Sequence, residues 1–127
     1  MDRVLAALSA MRVGFVAQEE ALQQRVAAAL SAAGVPFVRE ARLGPRCRID
    51  FLCEGGVGVE VKRARPDRAR TLAQLGRYAA WDQVTSLILV SQQSVSLPRN
   101  IGGKPAVNLS LNRLWGPAVS GGVDGRG

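Results

Sequence analysis

The stretch Arg48-Ile49-Asp50-Phe51-Leu52-Cys53, then Glu54-Gly55-Gly56, then Val57-Gly58-Val59-Glu60-Val61-Lys62 decides how the chain is read. Two runs with the composition of β-strands are joined by a glycine-rich turn. Two carboxylates and a lysine are threaded through them. Charged groups inside strand-like sequence require a reason, and a divalent metal ion with a lysine beside it supplies one. Side chains alternate along a strand, so Val57, Val59 and Val61 share one face and Gly58, Glu60 and Lys62 the other. Glu60 and Lys62 are then neighbours, roughly 6–7 Å apart. In the preceding run the same alternation puts Ile49, Phe51 and Cys53 on one face and Arg48, Asp50 and Leu52 on the other.

Whether Asp50 joins Glu60 depends on the turn. Residues directly opposite across an antiparallel pair point the same way. A three-residue loop of Glu54-Gly55-Gly56 pairs Cys53 with Val57, and so Asp50 with Glu60. A two-residue Gly55-Gly56 turn pairs Asp50 with Val61 instead. A metal site therefore demands the three-residue loop, a common hairpin type with glycine in the left-handed position. Asp50, Glu60 and the Val61 main-chain carbonyl, with waters, form a donor set suited to Mg²⁺. Lys62 would stand beside it to assist a water and offset charge on a phosphorus centre.

Outward from this hairpin the chain reads as a single α/β domain over residues 1–115. A short helix is expected over residues 2–11, broken at Gly14 and Phe15. A second spans Gln18 to Ala33, with Leu22, Val26, Ala29, Leu30 and Ala33 on one stripe. Gly34 and Pro36 end it. Extended segments follow at Val35–Arg42, Cys47–Cys53 and Val57–Lys62. Asp67 to Trp81 forms another helix, started by Pro66 and Asp67, with Leu72, Leu75, Tyr78 and Ala79 inward. Ser86–Ser91 reads as a strand covered on both faces. Pro98, Gly102-Gly103 and Pro105 mark a loop, and Ala106–Leu111 a last strand. A glycine-rich tail from Gly116 is expected to be disordered.

Composition narrows the function. The 127 residues carry 17 Lys+Arg against 10 Asp+Glu, a net charge of +7, which suits a polyanionic partner, nucleic acid before a membrane surface. There is no histidine, which excludes histidine triads, His-ligated metal sites and His-based ribonuclease chemistry within this chain. Cys47 and Cys53 have neither zinc nor CxxC spacing and read as small core hydrophobes. The apolar N-terminus, interrupted by Arg12, reads as a helix rather than a signal peptide, and no run approaches a membrane span. A cytoplasmic location follows as the expectation. Eight arginines fall within 32 residues: Arg39, Arg42, Arg46 and Arg48 before the carboxylates, Arg63, Arg65, Arg68 and Arg70 after the lysine. They form a candidate phosphate-binding rim, which Arg99, Asn100, Lys104, Asn112 and Arg113 extend. Aromatic content of 5% argues against a stacking platform for single strands.

At residues 18–91 the chain resembles the PD-(D/E)xK nuclease superfamily. Asp50 stands where the motif has its aspartate, Glu60-Val61-Lys62 matches E-x-K, and Glu19-Glu20 opens a helix before the hairpin. Gln74-Leu75-Gly76-Arg77-Tyr78 looks like the Gln-x-x-x-Tyr motif of one branch. Ile49 replaces the motif's proline, which supplies no ligand. The resemblance implies a restriction-endonuclease-like mixed sheet with helices on both faces. It further implies Mg²⁺-dependent DNA hydrolysis by water, Mn²⁺ substituting, with a 5′-phosphate product. Asp50 and Glu60 would bind metal, Lys62 assist the water, a helix glutamate support the metal, and Gln74 position. At about 100° per residue Glu19 falls on the buried stripe and Glu20 outside it, which favours Glu19. Arg46, Arg48, Arg63, Arg65, Arg68 and Arg70 would contact DNA. A homodimer suits a junction-cleaving enzyme. The competing readings are a DNA-binding module of the same fold that does not cleave, and a nuclease subunit requiring a partner.

Overall fold

The structure, a computed structural model, describes residues 1–11 and 18–111. The expected break at Gly14 and Phe15, the candidates Asn112 and Arg113, and the expected tail lie outside them. The chain runs α1 (Asp2–Ser9), α2 (Glu19–Ala32), β1 (Phe37–Gly44), β2 (Cys47–Cys53), β3 (Val57–Lys62), α3 (Arg68–Ala79), β4 (Ser86–Ser91), β5 (Asn100–Ile101) and β6 (Lys104–Ser110). The six strands make one mixed sheet in the order β1-β2-β3-β4-β6-β5. The β1–β2 and β2–β3 pairs are antiparallel, β3–β4 and β4–β6 parallel, β5–β6 antiparallel. The α/β class expected from the element order is the one observed.

Helix α2 buries Leu22, Val26 and Leu30 completely. Each such side chain contributes about 1.5–3 kcal/mol of transfer free energy, which outweighs the helix's mixed outer face. Ala33, expected on that stripe, is instead the exposed C-cap. Gly34 follows in the left-handed region (φ 71), with Val35 N–H donating to Leu30 O and Gly34 N–H to Ser31 O. This double closure satisfies carbonyls that the helix end leaves open. Helix α3 starts where expected, because the Asp67 carboxylate accepts from Arg70 N–H at 3.0 Å.

Two separate apolar cores hold the sheet. On one face α1 and α2 cover Phe51, Cys53, Val57, Val59, Val61, Ile88 and Val90. On the other, α3 places Leu75, Tyr78 and Ala79 over Leu87, Ile49, Ala41 and Leu43. Strand β4, buried at every residue, lies between them, as its continuous apolar run requires.

Two expectations are corrected. The loop expected from Pro98 to Pro105 is interrupted: Asn100–Ile101 and Lys104-Pro105 pair as a hairpin, with Gly102-Gly103 as its turn at positive φ (59 and 78). And Ile49 does not share a face with Phe51. Ile49 and its partner Ala41 pack in the α3 core, whereas Phe51 packs in the α2 core and carries the Arg39 guanidinium over its ring at 5.5 Å. The faces switch at Glu40 and Asp50. Glu40 takes φ 48, a left-handed conformation that breaks the regular pleat of β1. Beyond this kink the β1–β2 hairpin leaves the sheet plane and closes over the α3 side. Ile49 lies so close above Gly58 that a Cβ there would meet its Cδ1 at 2.6 Å. Farther out, Gly44 packs against the Trp81 ring and Gln83 Nε2 donates to Leu43 O at 3.2 Å. The hairpin tip therefore rests at the C-terminal end of α3.

Candidate active site where β2 and β3 part

The loop Glu54-Gly55-Gly56 has three residues, with Gly55 and Gly56 at φ 83 and 81 and Cys53 paired with Val57. Gly56 has no room for a side chain, since a Cβ would meet Gln83 O at 2.5 Å. The ladder runs only to Phe51–Val59. The next pair in register is Asp50 with Glu60, and there the kink draws β2 away from β3.

The two acids span the opening with their own side chains. Asp50 N–H donates to Glu60 Oε1 at 3.3 Å, and Val61 N–H donates to Asp50 Oδ2 at 2.8 Å. Each carboxylate thus replaces a backbone bond that the kink removes. A residue's N–H and C=O project to the same side of a strand, so the Val61 carbonyl also lies on the Asp50 side of β3. Lys62 Nζ stands 3.6 Å from Glu60 Oε2, on the face toward α3. Glu60 is 4% exposed, and Lys62 and Asp50 are half-buried.

Burial sets the electrostatics. The Glu60 carboxyl is pushed up to about 7, first by burial and then by the Asp50 charge; Lys62 and the Asp50 N–H oppose this. Asp50 is also raised, by burial, with Val61 N–H acting against it and the Glu19 charge adding to it. One buried and one half-buried acid with a single neighbouring ammonium lack positive charge, and a divalent cation would supply it.

The remaining candidates fall at different distances from this pair. Glu19 is exposed and acts on Asp50 by its charge. Glu20 turns away to Arg39, at 3.5 Å. Among the described residues no three acidic, histidine or cysteine side chains come together as a ligand group. Gln74 Nε2 donates to the Tyr78 hydroxyl at 3.0 Å, and that hydroxyl faces the Glu60 carboxylate. Gln74 therefore stands one hydroxyl removed from the acids. Burial and the Glu60 charge raise the Tyr78 phenol, so it stays protonated.

Two residues at the site carried no assigned role in the sequence. Tyr78 stood as an inward residue and as the last of the Gln-x-x-x-Tyr resemblance, whose four-residue spacing was the signal. Glu40, whose charge reaches Asp50, had none, because its position depends on the kink.

The arginines divide into two groups. Arg63, Arg65, Arg68 and Arg70 lie just after Lys62 and at the start of α3, with Arg68 Nε donating to Ser96 O at 2.8 Å. Arg42, Arg46 and Arg48 ride on the folded-over hairpin, Arg48 paired with Glu40 at 3.4 Å. Arg39 is engaged inward with Gln23 and Phe51. Cys53 is core, its thiol pushed up to about 11 by burial, but Cys47 is half-buried beside the hairpin arginines. No helix among the described residues is long and apolar enough to cross a membrane.

Comparison of the chain with protein-family models, curated proteins and solved structures returns no match.

Proposed function

We propose that the protein is a Mg²⁺-dependent endonuclease of the PD-(D/E)xK type that hydrolyses DNA phosphodiester bonds. The observation that carries this reading is the meeting of Asp50 and Glu60 across the opened strands, with Lys62 3.6 Å from Glu60. The element order α2-β1-β2-β3-α3-β4 with helices on both faces supports it, since it is the order a restriction-endonuclease-like core implies.

Asp50, Glu60 and the Val61 carbonyl fit a hard, oxygen-seeking cation such as Mg²⁺ or Mn²⁺, waters filling the rest of its shell. Such an ion, when bound, would acidify water and offset phosphate charge. The protein's own groups do the rest. Lys62 orients the attacking water and stabilises negative charge growing on the phosphoryl oxygens. Tyr78, held by Gln74, fixes the rotamer of Glu60 through its hydroxyl. Glu19 adds negative charge at the solvent side of Asp50 and holds hydration water there. Arg63, Arg65, Arg68 and Arg70 engage backbone phosphates beside the site, with Arg46 and Arg48 contacting DNA from the hairpin.

Supercoiled plasmid tests the reading. Wild type nicks it in Mg²⁺ and not in EDTA, and Asp50→Ala abolishes nicking. Binding without nicking in both Mg²⁺ and Mn²⁺ would replace the enzyme with a DNA-binding module of the same architecture.

A further inference from the structure

The tip of the β1–β2 hairpin holds a cationic cleft apart from the carboxylate pair. Arg42, Arg46, Cys47 and Arg48 line a space of about 360 Å³. Arg42 and Arg48 are direct cross-strand partners. Like charges directly opposite destabilise a strand pair. Arg46 occupies the left-handed region (φ 56), where glycine or asparagine would cost less. Only Arg48 has a carboxylate, Glu40, at 3.4 Å; among the described residues Arg42 and Arg46 have none. Three exposed arginines thus border one space, with a single carboxylate among them. The tip is also fixed, by Gly44 against the Trp81 ring and by Gln83 on the Leu43 carbonyl. A cleft with excess positive charge on an anchored hairpin suits phosphate oxygens, which arginine recognises through paired N–H donors.

Its position says which phosphate. Arg48 is two residues from Asp50 along β2, roughly 7 Å, and Arg46, in the turn before Cys47, is at most about 13 Å away. DNA advances 3.4 Å per nucleotide of one strand, so these reaches correspond to about two to four nucleotides. The other arginine group lies past Lys62, at the opposite end of α3 from the residues that hold the tip. We infer that the hairpin cleft binds a backbone phosphate about two to four nucleotides from the cleaved one, so that the substrate is a polynucleotide gripped on both sides of the cut. This rests on the nuclease reading above for the meaning of the cleaved phosphate. The cleft's affinity for a nucleic-acid backbone stands independently of it.

The test uses a short fluorescent DNA duplex in EDTA, where no cleavage occurs. Arg42→Gln and Arg46→Gln are combined, and Arg48 is kept because it holds Glu40. The expected result is a loss of about tenfold in affinity, with the slope of log affinity against log salt reduced by about one. Cys47 gives a second readout, compared between wild type and the double variant. It lines the cleft and is half-buried but also lies near Tyr78, so slower alkylation of Cys47 by bound DNA counts for the cleft where the double variant relieves it. Affinity and salt slope unchanged in the double variant, with Cys47 equally protected in both proteins, would overturn the cleft. Affinity lost in the double variant, without any cleavage by wild type in Mg²⁺, would retain the cleft and remove the nuclease. Cleavage by wild type with affinity unchanged in the double variant would do the reverse.

Discussion

Replacing Glu60 with glutamine should stabilise the protein above neutral pH and flatten its dependence on pH. The folded-state carboxyl is raised from 4.5 to about 7. Between those values the folded protein binds more protons than the unfolded chain, so stability falls as pH rises. The contribution is complete below 4.5 and lost above about 7. A shift of that size, at about 1.4 kcal/mol per pKa unit, corresponds to about 3 kcal/mol. Asp50, raised in the same direction, adds to the slope rather than cancelling it. The chain has no histidine to confuse the same window. Glutamine keeps an acceptor for the Asp50 N–H but leaves Lys62 without its charge partner, so the net gain at pH about 8 is about 1–3 kcal/mol. Urea unfolding in EDTA, at pH about 5 and about 8, reads it directly. Wild-type stability that is flat or rising across that window would refute the buried-acid account. So would a glutamine variant weakened equally at both pH values.

Other consequences follow from the same geometry. Mg²⁺ or Mn²⁺ should raise the melting temperature of wild type, more at pH about 8 than about 6 because Glu60 must first lose its proton. Differential scanning fluorimetry should find no such rise in Asp50→Asn. Tyr78→Phe removes a hydroxyl that holds the Glu60 carboxyl down. It should cost about 1 kcal/mol of stability and move the rise of cleavage rate to higher pH. Gly58→Ala puts a methyl against Ile49 Cδ1 and should destabilise by about 1–3 kcal/mol in urea. Adding Ile49→Val, which deletes that Cδ1, should recover part of the loss; no recovery would mean that the hairpin does not fold over Gly58.

The sequence made the register legible because strand parity is a two-state question. A Glu54-Gly55-Gly56 loop either pairs Cys53 with Val57 or it does not, and two adjacent glycines permit the required positive φ. The α2 stripe and the doubly covered β4 were legible for a similar reason: burial leaves a period that the residue types report. The kink at Glu40 and Asp50 left no such trace. Phe37, Arg39, Ala41 and Leu43 keep a period of two in the sequence even though the buried face changes between Arg39 and Ala41. A period-two pattern cannot record that change. For the same reason the arginines read as one rim, while the bend carries Arg42, Arg46 and Arg48 onto a hairpin that ends at Trp81. The two-residue β5 was too short for any pattern, although Gly102-Gly103 carried its turn signal. At the site, the acids and the lysine were visible as charges in a strand. The Tyr78 contact that fixes Glu60 is tertiary, and only the four-residue spacing to Gln74 hinted at it.

The most direct test of the account is the single-turnover cleavage rate of a labelled DNA by wild type and Lys62→Ala, each in saturating Mg²⁺. In the proposed mechanism Lys62 assists the water, and its removal leaves Asp50 and Glu60 in place. The account predicts cleavage by wild type and a fall of about 10²–10⁴-fold in the variant. Equal rates, or cleavage that persists without divalent metal, would contradict it.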